Sequence, residues 1–182
     1  MKVDLTGNGL MRALRQQVEK AVEYLYSPGG TEENRRRPEV FENVLPRKTR
    51  GRANEAEHYP HILLQYVGEE IKDTERGVQN IATIYIIAGI AEDEDNKYAI
   101  HEVINCLTRI RNDILKIGFI PEFKDPHTLG AFELVRKGLQ LVIPQEQADP
   151  KFCGYLKMEF ILPMITQEQG AFLHGRLEQR HE

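Results

Sequence analysis

The side chains that usually head covalent or acid–base chemistry are few in this chain, with one serine, two cysteines and six histidines among 182 residues. Ser27 stands in the turn Ser27-Pro28-Gly29-Gly30, and no G-x-S-x-G or S-x-x-K arrangement surrounds it, which excludes a serine hydrolase. A cysteine nucleophile needs an exposed, electropositive thiol beside a base. Cys106 falls in an apolar-patterned helix and Cys153 follows Phe152 at a strand start, so both read as reduced thiols in or near the core. His58 and His61 bracket Tyr59-Pro60, where proline directs the chain into an extended strand and no third ligand is near in sequence, so they read as structural. The acidic run Glu92 to Asp95 lacks the glycine of a calcium loop, and Ile104 stands where that loop needs a bidentate glutamate. Gly7-Asn8-Gly9 and Gly29-Gly30 lack the lysine and spacing of a phosphate loop. No catalytic residue, cofactor-binding residue or metal ligand is assigned, and an enzyme is not expected.

What remains is charge. From Thr31 to Glu57 apolar periodicity fades, and between Arg35 and Arg52 the bases Arg35, Arg36, Arg37, Arg47, Lys48, Arg50 and Arg52 face only Glu39 and Glu42. These seven are the candidate partner-binding residues. The one-signed run reads either as a basic arm for nucleic acid or an acidic neighbour, or as a solvated loop. The formal net charge of -4 gives no global attraction to polyanions, so such a role has to be local. Within the run, Val40, Phe41, Val44 and Leu45 suit one short strand.

The elements around it are better specified. Between Glu92 and Pro121, Ala99, Ile100, Val103, Ile104, Cys106, Leu107, Ile110, Ile114, Leu115 and Ile117 share one half of a helical cylinder, with Arg111 as the one cation among them, snorkelled or paired. Asp95 or Asn96 suits its N-cap, and Lys116, Gly118 and Pro121 mark its stop. A second amphipathic helix spans Leu10 to Tyr26, buried through Leu10, Leu14, Val18, Ala21, Val22 and Leu25, with Thr6 or Asn8 as cap. Ile62 to Val67 reads as a strand, Gly68 to Gly77 as a polar turn, and Val78 to Ile90 as a long strand with both faces at least partly covered. Gly138 to Ile143 is expected to bury Leu139, Leu141 and Ile143. The last strand is expected to bury Leu156, Met158, Phe160, Leu162 and Met164, with Lys157 and Glu159 turned outward. This order predicts one α+β domain over residues 1–182, a mostly antiparallel sheet with two main amphipathic helices packed on it. It carries a long basic extension at about 31–57 and a short tail at about 166–182, where Phe172, Leu173 and Leu177 have weak helical spacing. The most apolar run, Ile81 to Ala91, is shorter than a membrane helix, and Met1 to Leu14 has no signal-peptide core, so a soluble protein of a reducing compartment is expected.

Taken together, the segments resemble a family of tailed-bacteriophage tail terminator or tail completion (neck) proteins. Tyr59-Pro60-His61-Ile62-Leu63-Leu64, Gly68-Glu69-Glu70 and Thr83-Ile84-Tyr85-Ile86-Ile87-Ala88-Gly89-Ile90 lead through acidic residues to Val103-Ile104-Asn105 and Arg109-Ile110-Arg111. Leu139 to Pro144, Pro150, Gly154-Tyr155 and Pro163 look like that family's closing hairpin. The resemblance covers about Tyr59 to Ile165 through structural patterning. Lys97-Tyr98 departs from the more usual Gly-Tyr, and the basic segment is longer than the family's. The resemblance implies a structural virion protein at the head-proximal end of the tail, made in the host cytoplasm, without catalysis or cofactor. Its implied partners are further copies of itself in a ring, typically a homo-hexamer, with the tail tube protein, the head-tail connector or neck protein, and DNA passing through without sequence-specific binding. Two other readings are a nucleic-acid-binding module using residues 35–52 and a small α+β enzyme with a scattered site.

Overall fold

The computed structural model describes residues 4–25, 37–45, 59–91, 98–117, 129–147 and 151–163, without the Arg136 side chain. Helix α1 spans Gly7–Val22 and α2 spans Ala99–Ile117. The strands are β1 (Glu39–Glu42), β2 (His61–Thr74), β3 (Gly77–Ala91), β4 (Glu133–Leu134), β5 (Gln140–Val142) and β6 (Lys151–Leu162). They form one curled mixed sheet in the order β1-β2-β3-β6-β4, with β5 also on β6. Among the described strands only β1 and β2 run parallel. The fold is therefore α+β, with two amphipathic helices on a mostly antiparallel sheet.

Both helices form where apolar residues recur at steps of three and four, and burial follows that spacing. In α1, Leu10, Leu14, Val18, Ala21 and Val22 are buried as expected, and Met11 and Ala13 widen the stripe. The helix begins at Gly7, earlier than the apolar periodicity, with Thr6 as N-cap residue in an extended conformation. Thr6 spends its hydroxyl on the Asp4 carboxylate instead of on the helix N–H groups. Gly9 lets this N-terminal turn close, because a Cβ there would lie 1.8 Å from the Asp4 carbonyl oxygen. The helix ends at Val22, short of Tyr26, where a turn bonds Leu25 N–H to the Val22 carbonyl at 2.9 Å.

In α2, Ala99, Val103, Cys106, Leu107, Ile110 and Ile114 are buried. Leu115 and Ile117 lie half-buried against the core. Ile104 departs from expectation and is exposed, because the supporting surface is narrower than the ten-residue apolar arc. Arg111 resolves as a half-buried cation whose Nε and Nη2 donate to Asn112 Oδ1 at 3.4 and 3.3 Å. The expected caps Asp95 and Asn96 and the stops Gly118 and Pro121 lie outside the described residues.

Ile84, Ile86, Ala88 and Ile90 of β3 share the helix-facing side with Leu156, Met158, Phe160 and Leu162 of β6, all buried, with Ile84 opposite Met158 and Ile86 opposite Leu156. Gly154 belongs to that side, where a Cβ would stand 2.5 Å from Ile143 Cδ1, 3.0 Å from Val103 Cγ1 and 3.1 Å from Leu107 Cδ1, so its absence lets both Ile143 and α2 approach the sheet. Leu139, Leu141 and Ile143 pack against the same core as expected, although the strand itself is only Gln140–Val142. Leu129, Ala131, Phe132 and Leu134, around β4, are core residues that the sequence patterning did not identify.

Candidate functional site

The stretch expected as a polar turn, Gly68 to Gly77, is instead the outer half of a long hairpin. β2 runs 14 residues and β3 runs 15, joined only by Glu75-Arg76. Gly77 supplies the left-handed conformation of that tight turn with φ +94°. Thr74 Oγ1 donates to the Gly77 carbonyl at 2.8 Å and accepts from Arg76 N–H at 3.2 Å. Polar composition misled the periodicity here, because a hairpin that leaves the core has no face to make apolar.

A bulge between Tyr66 and Gly68 turns this outer half over. Before it, Ile62, Leu64 and Tyr66 face the helices; after it, Glu69, Ile71 and Asp73 do, opposite Ala82, Asn80 and Val78. β1 supports only His61 to Leu64 of β2. It stops at Asn43, whose φ of +58° turns the backbone out of the ladder while its Oδ1 accepts from Tyr66 N–H at 3.0 Å. Among the described residues, the outer edge of β2 from Val67 to Thr74 has no strand partner. Ile71 is 70% exposed and Val78 51% exposed on the helix side of this arm. The tip curls the other way, and Arg76 Nη1 donates to Glu133 Oε1 of β4 at 2.6 Å.

A cleft of about 620 Å³ lies where the arm leaves the body, between the start of α1 and the bulge. Tyr66 donates its hydroxyl to Glu69 Oε1, and Asn80 Nδ2 donates to Glu69 Oε2 at 2.6 Å. These two donors, Tyr66 first, hold the Glu69 carboxyl below its ordinary pKa. Desolvation and then the facing carboxylate push the Tyr66 phenol up. Arg12 pairs with Asp4 at the same cleft, and Arg15 bridges Glu19 at 2.7 Å and Glu42 of β1 at 3.3 Å. The Glu69 carboxylate is thus committed to the hairpin, and the cleft's chemistry is that of a joint.

The sheet face away from the helices was expected to be at least partly covered. Thr83, Tyr85 and Ile87 of β3 and Tyr155, Lys157 and Glu159 of β6 are half-buried there. Tyr85 and Tyr155 pack at 5.2 Å between ring centroids, and Lys157 Nζ lies 2.9 Å from Glu159 Oε1, which raises the lysine's pKa. Ile81 is buried because the curl folds the tip toward β4.

Of the seven candidate partner-binding residues, Arg37 is exposed two positions before β1. Arg35, Arg36, Arg47, Lys48, Arg50 and Arg52 lie outside the described residues, as does the expected tail at 166–182. The basic stretch is not one uninterrupted extension, because Glu39–Glu42 inside it is a strand and Val40 is buried in the core. Of Val40, Phe41, Val44 and Leu45, expected in one short strand, only Val40 and Phe41 lie in it, and Val44, past the turn at Asn43, is exposed. Cys106 is buried, and desolvation pushes its thiol up to about 12. Cys153, expected in or near the core, is exposed, because it falls on the open side of β6 opposite Gly89. His61 is buried against Gly89 with its ring 4.9 Å from that of Tyr59, while His58 lies outside the described residues. No helix among the described residues is long and apolar enough to cross a membrane. No protein-family model matches the chain, and no curated protein matches it.

Proposed function

We propose that this chain is a tail-terminator-like structural subunit, which assembles into a ring, typically of six copies, that caps a phage tail tube and offers the docking surface for the head-tail connector. The observation that carries the reading is the hairpin arm. It presents Ile71 and Val78 to solvent and, among the described residues, leaves the edge of β2 open from Val67 to Thr74. Open strand edges and exposed aliphatic side chains are liabilities for an isolated domain and useful features for a subunit. The half-buried tyrosine-rich face of the sheet adds a second surface to share. The resemblance of Tyr59 to Ile165 to tail terminators supplies the assembly; the arm supplies a physical reason for one. On this reading catalysis is not part of the protein's work, and DNA passes the ring without sequence-specific contact. The bases of residues 35–52 serve an acidic partner surface or that DNA.

Electron microscopy of tails carrying a labelled copy tests the location, with label expected only at the head-proximal end. Label elsewhere along the particle, or a copy number incompatible with a closed ring, refutes the proposal. Replacing Arg35, Arg36 and Arg37 by Ala separates assembly from folding. Infectivity is expected to fall while the unfolding midpoint of the free subunit stays within the change typical of surface substitutions, about 0.5 kcal/mol.

A further inference from the structure

The arm's helix-side face combines two exposed aliphatic side chains, Ile71 and Val78, with the carboxylates Glu69 and Asp73. Glu69 is occupied by Tyr66 and Asn80, so Asp73, directly across from Val78, is the charge this face offers outward. A surface with an excess of cations lies at the far end of α1. There a groove of about 730 Å³ between α1 and α2 is lined by Tyr24 and by three cations, Lys20, Arg109 and Lys116, against two carboxylates, Glu23 and Asp113. Tyr24 is 68% exposed, and Asp113 is held by Gln17 Nε2 and Lys116 Nζ.

The two surfaces cannot meet within one chain. α1 starts beside Tyr66, at the base of the arm, and Tyr24 lies 17 residues further on, roughly 25 Å along a helix. The arm continues beyond Tyr66 for eight residues, roughly 26 Å of strand.

We infer that the arm of one copy seats in the α1–α2 groove of a second copy, with Ile71 and Val78 against Tyr24 and Asp73 toward Arg109 and Lys20. Two arms packed face to face would oppose Asp73 to Asp73, so the charges disfavour the symmetric pairing and favour this one. The contact joins two different surfaces, and repeated from copy to copy it closes a ring if the rotation allows. The inference rests on the ring reading for its biological meaning, though not for its geometry.

Photocross-linking of the full chain tests it, using Ile71→benzoylphenylalanine in an equal mixture of ¹⁴N and ¹⁵N protein at about 1 mM, where a Kd of that order still populates the complex. Mixed-isotope cross-links from position 71 to peptides bearing Lys20 to Tyr24 or Arg109 to Lys116 are expected. Cross-links to residues 164–182 of the same copy, cross-links to any other surface, or no mixed-isotope product each overturn the contact. A charge swap gives the second measurement by sedimentation. Asp73→Arg and Arg109→Asp are each expected to weaken association about tenfold, and the double variant to recover most of that loss, as coupled charges do across an interface. Equal unfolding midpoints show that the variants fold, and additive losses refute the pairing. Rings at tail ends whose cross-links map elsewhere remove this contact and leave the ring reading standing. Arm-to-groove cross-links in a chain that never reaches a tail do the reverse.

Discussion

Gly89→Ala isolates one packing decision in the open side of the sheet. Gly89 pairs with His61 on β2 and Cys153 on β6, and the buried His61 ring lies directly over it. A Cβ at Gly89 would stand 2.4 Å from His61 Cε1 and 2.7 Å from Nε2, against van der Waals contact of about 3.5–4 Å. The ring therefore has to move by about 1 Å, and Tyr59, edge-on at 4.9 Å, stands beside it. Overpacking of this kind costs about 1–3 kcal/mol. Alanine recovers about 0.5–1 kcal/mol by restricting the unfolded chain. The net expectation is a loss of roughly 0.5–2 kcal/mol, read by urea denaturation as a lower midpoint at unchanged slope, or as about 2–4 °C per kcal/mol in Tm. The decisive comparison is with His61→Ala. Once the imidazole is gone the added methyl has room, so Gly89→Ala becomes neutral or stabilising in that background. Two substitutions in contact then couple by about 1–3 kcal/mol. An equal cost of Gly89→Ala in both backgrounds, within about 0.5 kcal/mol, refutes the assignment of that glycine to the histidine.

The remaining expectations use the same structure. The exposed Cys153 thiol reacts with an aromatic disulfide reagent in the native protein, while Cys106 reacts only after unfolding; two fast-reacting native thiols would contradict the burial of α2's inner face. Cys106→Ala costs on the order of 1 kcal/mol in chemical denaturation, as removal of one small buried group does. Glu69 has a folded pKa below its ordinary value of 4.5, so its contribution to stability is present above that value and is lost as pH falls through the folded pKa. Removing the first donor in Tyr66→Phe makes the acid-side decline of the unfolding midpoint shallower, and an unchanged decline would place the carboxylate's stabilisation elsewhere. Val40→Ala lowers stability by about 1–2 kcal/mol if β1 is a working part of the core, and a loss under about 0.3 kcal/mol would return residues 39–42 to the status of an appendage.

Periodicity in the sequence was enough to place α1, α2, β3 and β6, and to name most of what they bury. A helix or strand that lies on a core writes its inner face into the spacing of Leu10, Leu14 and Val18, or of Leu156, Met158 and Phe160, whatever its neighbours are. The apolar cluster Val40, Phe41, Val44 and Leu45 announced a short strand, of which only the first two fall in β1, and its parallel place beside β2 depends on a chain return that local residues do not encode. The candidate site was the least legible part. Residues 68–77 are polar and mostly exposed in the outer hairpin, and the same composition suits an ordinary turn. Only β-pairing from Thr74↔Gly77 to His61↔Gly89 shows an arm and puts Ile71, Asp73 and Val78 on one face, and only the bulge at Val67 turns that face of β2 to the helix side. Cys153 teaches the same lesson. Its neighbours suggested the core, yet the side of the sheet it takes is set by register with Gly89, a long-range pairing fixed by the packing of Gly154 and Leu156 against α2.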